Sequence, residues 1–216
     1  MTDILIANMD PYVYPGTSVL RNLRDIRDPE LLSEFEAEAT ARRLRQLENK
    51  PLSGRFDARH IQTIHHHIFQ DVYEWAGDFR TVSISKSGDP FAFPQHIASS
   101  LDKTCGELKN EWHLAGSDLE HFASRGAYYL GEINAIHPFR EGNGRTQREF
   151  VRELALKSEL MIDWRQVSRE EMIEASRRSL RVDNAGLEQV LRKALDNEPN
   201  RQRALERGQD GIERGR

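Results

Sequence analysis

His137-Pro138-Phe139-Arg140-Glu141-Gly142-Asn143-Gly144-Arg145-Thr146-Gln147-Arg148 stands between two stretches of helical apolar spacing. Pro138 disfavours a helical conformation for the residue before it, so His137 ends the preceding helix or lies in the loop. Gly142-Asn143-Gly144 can adopt left-handed or otherwise unusual dihedrals just ahead of a helix. Such a run turns successive N–H groups toward one point, and the following helix adds its positive end, which makes a seat for an anion. Arg145 and Arg148, three apart, share one face of the first turn. Glu141 beside such a seat opposes it in charge unless a cation intervenes. Mg²⁺, which takes a carboxylate together with substrate phosphates, removes the conflict. His137 at the mouth has the titration range of a general base. These twelve residues predict nucleotide phosphate chemistry.

The motif is neither of the common phosphate-binding sets. Gly-x-x-x-x-Gly-Lys-[Ser/Thr] is absent, and so are the strand lysine and Asp-Phe-Gly of protein kinases.

Outward from the loop the chain reads as helices. Asp28-Pro29-Glu30 is a helix start, with an N-cap acid and proline at the first position. Leu31, Leu32, Phe35, Ala39, Leu44 and Leu47 continue at mostly helical spacing to Asn49. A second helix is expected from Asp57 through Ala76, on the stripe Ile61, Ile64, Ile68, Val72 and Trp75. Further helical patterns cover Gln95 to about Leu114, Asp118 to Ile136, Arg145 to Leu160, Ser168 to Leu180 and Ala185 to Leu195. One β signal interrupts them: Val82 and Ile84 alternate with polar residues, as do Phe91 and Phe93 about Ala92, with Ser87-Gly88-Asp89-Pro90 as the turn. Two strands alone are marginal in water, so this hairpin must lean on helices or on a partner.

The spacing thus predicts a mainly α fold with one short hairpin. Residues 1–29 form an irregular N-terminal arm and first turn, 30–196 the packed domain, and 197–216 an Arg-containing tail whose composition predicts disorder. The 216 residues carry 31 Lys plus Arg against 35 Asp plus Glu, a net charge of −4. That balance lacks the basic surface a general nucleic-acid binder needs. No apolar run is long enough to span a membrane, and the acidic start does not read as a secretory signal. The single cysteine, Cys105, excludes an internal disulfide. A soluble cytoplasmic protein is expected.

Residues 137–145 resemble the signature of the Fic family, His-Pro-Phe-x-[Asp/Glu]-Gly-Asn-[Gly/Lys]-Arg, and Arg148 matches its second arginine. Asp71-Val72-Tyr73-Glu74-Trp75-Ala76-Gly77, with Arg80 beyond, and Gly131-Glu132-Ile133-Asn134 are similar to the same family, so the resemblance spans roughly residues 10–195. It implies a helical domain that transfers AMP from ATP to a Ser, Thr or Tyr hydroxyl of a target protein. It also implies roles: His137 as base, Glu141 as the Mg²⁺ ligand, Gly142, Asn143 and Gly144 on phosphate oxygens, and Arg145 and Arg148 on the β- and γ-phosphates. Residues 80–93 would be the family's flap, where Val82, Ser83, Ile84 and Ser85 pair with an extended stretch of target. A lone hairpin with a free edge suits that role.

The resemblance extends to control. Many family members carry an inhibitory [Ser/Thr]-x-x-x-Glu-[Gly/Asn] helix; the nearest match here, Ser179 to Asn184, has Asp183 where the glutamate belongs. A separate small antitoxin is therefore expected, with its glutamate on Arg148, as in the family's toxin branch. Type II DNA topoisomerase subunits are the targets that branch suggests, and the tail suits a type IV secretion signal such as some relatives carry. Transfer of phosphate, UMP or phosphocholine, removal of AMP, and a non-catalytic partner-binding module are the alternatives. His65-His66-His67 does not predict a metal site, since adjacent helical residues point about 100° apart. Trp75, Trp112 and Trp164 are expected in the core or its rim.

Overall fold

The computed structural model describes residues 10–86 and 88–202. In chain order the elements are α1 (Pro29–Asn49), α2 (Ala58–Phe69), β1 (Ser85–Lys86), β2 (Asp89–Pro90), α3 (Ile97–Asn110), α4 (Leu119–Ile136), α5 (Asn143–Ala155), α6 (Arg169–Arg181) and α7 (Ala185–Leu195). The mainly α class with a small antiparallel ribbon is what the spacing predicts.

Helix starts follow local chemistry. The Asp28 carboxylate accepts the N–H groups of Glu30 and Leu31 at 2.9 and 3.0 Å, with Pro29 opening α1. Asp57 accepts the His60 N–H at 2.9 Å, and Ser168 with Glu171 forms a capping box on α6. Each such cap contributes about 1 kcal/mol.

Helix α2 is shorter than its apolar stripe. It stops at Phe69, and residues 70–77 double back along it. The Gly77 N–H donates to His65 Nδ1 at 2.8 Å, Gln62 Nε2 donates to the Gly77 carbonyl at 3.0 Å, and His66 Nδ1 bonds the Ala76 carbonyl at 2.9 Å. These three side chains give the returning segment the partners a continuing helix would have given it, and Val72, Tyr73 and Ala76 stay buried.

The hairpin is likewise smaller than predicted. Among the described residues, regular pairing covers Ser85 with Pro90 and Lys86 with Asp89. Below the tip a 3.3 Å bond joins the Phe91 N–H to the Ile84 carbonyl.

The chain divides into two compact units. The first takes residues up to Asp102 together with Ile136–Glu149. Leu47, Ile61, Ile64, Ile68, Phe69 and Phe139 are buried in it, each contributing about 1.5–3 kcal/mol of transfer free energy. Its arm is pinned by a bridge between Val13 and Leu20.

The second unit takes Lys103–Ala135 and the chain from Phe150 onward. Phe122, Ala127, Leu154, Leu187, Leu191 and Leu195 are buried there, as is Cys105. Gly186 brings α7 close to α6, since a Cβ at that position would stand 3.2 Å from the Ala175 Cα. Trp112 is 82% exposed, not part of the core. It begins a turn in which Trp112, His113 and Leu114 all have φ near 54°, and Leu114 fills the interior in its place. The composition break at 197 does not coincide with the end of packing. Residues 198–202 are helical, and buried Asn200 receives the Met161 N–H at 2.9 Å and donates to the Met161 and Leu195 carbonyls at 2.8 and 2.7 Å. Residues 203–216 of the expected tail lie outside the described residues. Among those described, no helix is long and apolar enough to cross a membrane.

Candidate active site

Every predicted phosphate-site residue falls in the first unit. Helix α4 ends at Ile136, and His137 turns the chain with φ 49°, a left-handed conformation for a side-chain-bearing residue. Phe139 sinks into the core with no exposed surface and anchors the loop. Asn143 then closes it. Its Oδ1 accepts the Phe139 N–H at 2.9 Å and its Nδ2 donates to the Phe139 carbonyl at 2.8 Å. The Asn143 side chain is thus a staple within the loop, and what it leaves toward the anion seat is its backbone N–H. Gly142 has φ 82°, and a Cβ there would stand 2.2 Å from the Phe69 ring, so only glycine fits. The first N–H groups of α5 have no carbonyl partner within the helix.

His65 supports this loop from beneath. Its ring is fully buried, stacked on Phe139 at 3.8 Å between centroids and on Phe69 at 4.7 Å. Nδ1 accepts from Gly77, so the proton resides on Nε2, which donates to the Glu141 carbonyl at 3.0 Å. Burial pushes the imidazole pKa down to about 3, and the ring is neutral at any physiological pH. The sequence pattern assigned this histidine only a packing or surface role. The signal was there: position 65 lies within the apolar stripe Ile61, Ile64, Ile68.

The charged groups divide unevenly. Arg145 donates to Glu36 of α1 at 2.5 Å and to Thr40 Oγ1 at 3.1 Å, and lies over the Phe69 ring at 4.7 Å. Glu36 also accepts from the Tyr73 hydroxyl; burial and that carboxylate hold the phenol far above its usual pKa. Glu141 lies 3.6 Å from Arg145 and accepts the Gly142 N–H at 2.9 Å, while its side chain remains 46% exposed. Arg148 differs from all of these. Its Nη1 lies against Gly144, 3.2 Å from where a Cβ would be, and it has no carboxylate partner among the described residues. Burial lowers its pKa, and neighbouring Arg145 lowers it further.

Arg80 joins the hairpin to the loop. Its guanidinium donates to the carbonyls of Val82, Ala92, His137 and Ile136 at 2.7, 2.5, 2.8 and 3.2 Å. The Phe91 ring lies flat on the His137 imidazole, 3.7 Å between centroids and 13° between planes. Of the predicted docking residues, Ser83 and Ser85 are exposed and Val82 and Ile84 half-buried. Arg140, to which the motif assigns no role, pairs with Asp10 of the arm at 2.9 Å. Glu36 and Asp10 were not predictable as site residues, because each meets the motif from a distant segment, whereas Arg80 and Phe91 fell within the expected flap without a role of their own.

The residues fit a divalent cation held mainly by a nucleotide. Among the described residues no cluster of three or more His, Cys, Asp or Glu could cage a metal. Glu141 instead offers one half-exposed carboxylate beside helix N–H groups and an arginine, a donor set that suits Mg²⁺ brought with phosphates.

The Fic/DOC family profile matches residues 55–155. The chain is 42% identical to the protein adenylyltransferase VbhT of Bartonella schoenbuchensis over 86% of its own length, and spans 39% of that protein. It is 40% identical to y4lH of Sinorhizobium fredii, covering 86% of this chain and 96% of that one. Among solved structures it resembles the N-terminal Fic domain of a VirB-translocated Bep effector of Bartonella quintana with bound ADP. That TM-score is 0.80 at 29% identity, covering 85% of this chain and 93% of the other.

Proposed function

Because the chain belongs to the Fic/DOC family, we propose that it is a protein adenylyltransferase, moving AMP from ATP to a Ser, Thr or Tyr hydroxyl of a target protein. The relative VbhT is named for that activity, and the Bep Fic domain was solved with ADP. His137 takes the proton of the attacking hydroxyl as its oxygen bonds to the α-phosphorus. The bond to the β-phosphate oxygen breaks, and pyrophosphate leaves. The N–H groups of Asn143 and Gly144 and the positive end of α5 take up phosphate charge. Arg148 meets the outer phosphates, and Arg145, held by Glu36, adds a fixed positive field. Glu141 would hold Mg²⁺, which when bound neutralises charge on the leaving pyrophosphate.

The observation that carries this reading is Arg148: a half-buried guanidinium beside the anion seat with no acid of its own among the described residues. A buried charge without a counter-ion is costly, and a phosphate ligand supplies the counter-charge.

The test is label transfer into cell lysate with Mg²⁺, from α- and γ-labelled ATP, for wild type and His137→Ala. Protein label from α-ATP alone, lost in the variant, is the expected result. Label from γ-ATP would mean phosphoryl transfer and overturn it.

Control by a separate small protein bringing a carboxylate to Arg148 belongs to the same proposal, together with a toxin role inside bacterial cells. The candidate internal inhibitor supports it by being occupied, as Asp183 accepts from Arg178 of α6 at 2.9 and 3.0 Å.

A further inference from the structure

Arg80 is 2% exposed, yet among the described residues its side chain meets carbonyls and no carboxylate. The four oxygens come from both arms of the hairpin, Val82 and Ala92, and from the end of α4 and the motif, Ile136 and His137. Its own N–H donates to the Pro138 carbonyl at 2.9 Å. A buried cation is an expensive way to fill a core. What a guanidinium supplies that an apolar residue or a lysine does not is a rigid planar fork reaching acceptors on several sides at once. The hairpin needs such a fork, since two residue pairs do not hold a ribbon by themselves. From these contacts we infer that Arg80 is the positioning residue that fixes the hairpin to the loop carrying His137, and so sets where a docked target strand lies relative to the base.

The inference rests on the adenylyltransferase reading and adds the part that governs target register. A strand slipped by one residue moves its side chains by about 3.3 Å and turns them to the other face. A base must lie within about 3 Å of the group whose proton it takes. A hairpin able to drift by one residue could therefore present a hydroxyl that His137 never reaches. Phe91 makes a second connection of a different kind, its ring flat on the His137 ring. Arg80 grips the backbone of the base and Phe91 its imidazole, so hairpin and base shift together or not at all.

Hydrogen exchange tests the connection apart from activity. In wild type under increasing denaturant, the amide of Phe91, bonded to Ile84, and that of Phe139, bonded to Asn143, should open as one unit with one denaturant dependence. Separate openings would overturn the inference. In Arg80→Lys, which keeps the charge and loses the fork, the Phe91 amide should exchange at least tenfold faster, with α2 amides within twofold of wild type. An unchanged Phe91 amide would overturn it. If the variant does not fold, the wild-type exchange alone decides.

Activity gives the second readout. Arg80→Lys should bind a non-hydrolysable ATP analogue with Mg²⁺ within threefold of wild type and label lysate protein at least thirtyfold less. Analogue affinity and labelling falling by one common factor would make Arg80 a general support of the fold and overturn the positioning role. If wild type itself transfers no α-label, the adenylyltransferase reading fails, while the exchange results still decide whether Arg80 joins the two segments.

Discussion

His65 holds the backbone carbonyl of Glu141 at 3.0 Å, so the residue proposed as the Mg²⁺ ligand is tethered from behind by a neutral imidazole on α2. That ring has its pKa depressed to about 3 by burial, whereas an unfolded histidine titrates near 6.5. Between those values the unfolded chain binds the extra proton, so stability from this group is complete above about 6.5 and declines as pH falls toward 3. Lowering the pH from 7.5 to 5.0 should cost about 2 kcal/mol through His65 alone. Urea midpoints at the two pH values should show it. His65→Gln should be less stable at pH 7.5 and should have a flatter pH dependence; an equally steep one would assign the slope elsewhere.

Arg148 predicts a separation of stability from binding. Removing a half-buried cation that faces another cation relieves repulsion, so Arg148→Met should melt at the wild-type temperature or a few degrees above it. Its affinity for an ATP analogue should fall tenfold or more. Calorimetry and titration on one preparation check both, and a large drop in melting temperature would mean that Arg148 has a structural partner.

The motif loop should fail in two distinct ways. Asn143→Asp keeps an acceptor for the Phe139 N–H but turns a donor into a second carboxylate oxygen facing the Phe139 carbonyl, at a cost of about 2–3 kcal/mol. Gly142→Ala meets both a steric and a conformational objection, from the Phe69 ring and from φ 82°. It should lower stability by more than the Asp substitution and abolish labelling. Chemical denaturation ranks the two.

Asp183→Ala should leave labelling by the purified chain within twofold of wild type, since that carboxylate is engaged with Arg178. A chain that is silent alone and activated by this substitution would place the inhibitor inside the protein.

What could be read in the sequence was what is local. The Asp28 and Asp57 caps, the extent of α7 and the turn of the 137–145 loop each depend on residues within one or two turns of one another. The loop residues also form a chemically consistent set, so their grouping survives folding unchanged. Periodicity misled where side chains replace backbone partners, as when Gln62, His65 and His66 let the chain leave α2 at Phe69. It was silent about Glu36 and Arg80. Both are charged residues whose partners lie 109 and 57 residues away, and no period in the chain encodes such a distance. Trp112 failed for a third reason: a left-handed turn, invisible in composition, sends the large residue outward and Leu114 inward.

His137 carries a consequence for which residue this position can hold. A histidine held at φ 49° costs about 1–2 kcal/mol relative to glycine in the same place. His137→Gly is therefore expected to be inactive with a urea midpoint near that of wild type, because relief of the left-handed backbone offsets the lost Phe91 stack. Under the proposed role, backbone strain alone favours glycine at this position, and only the proton transfer asks for an imidazole there.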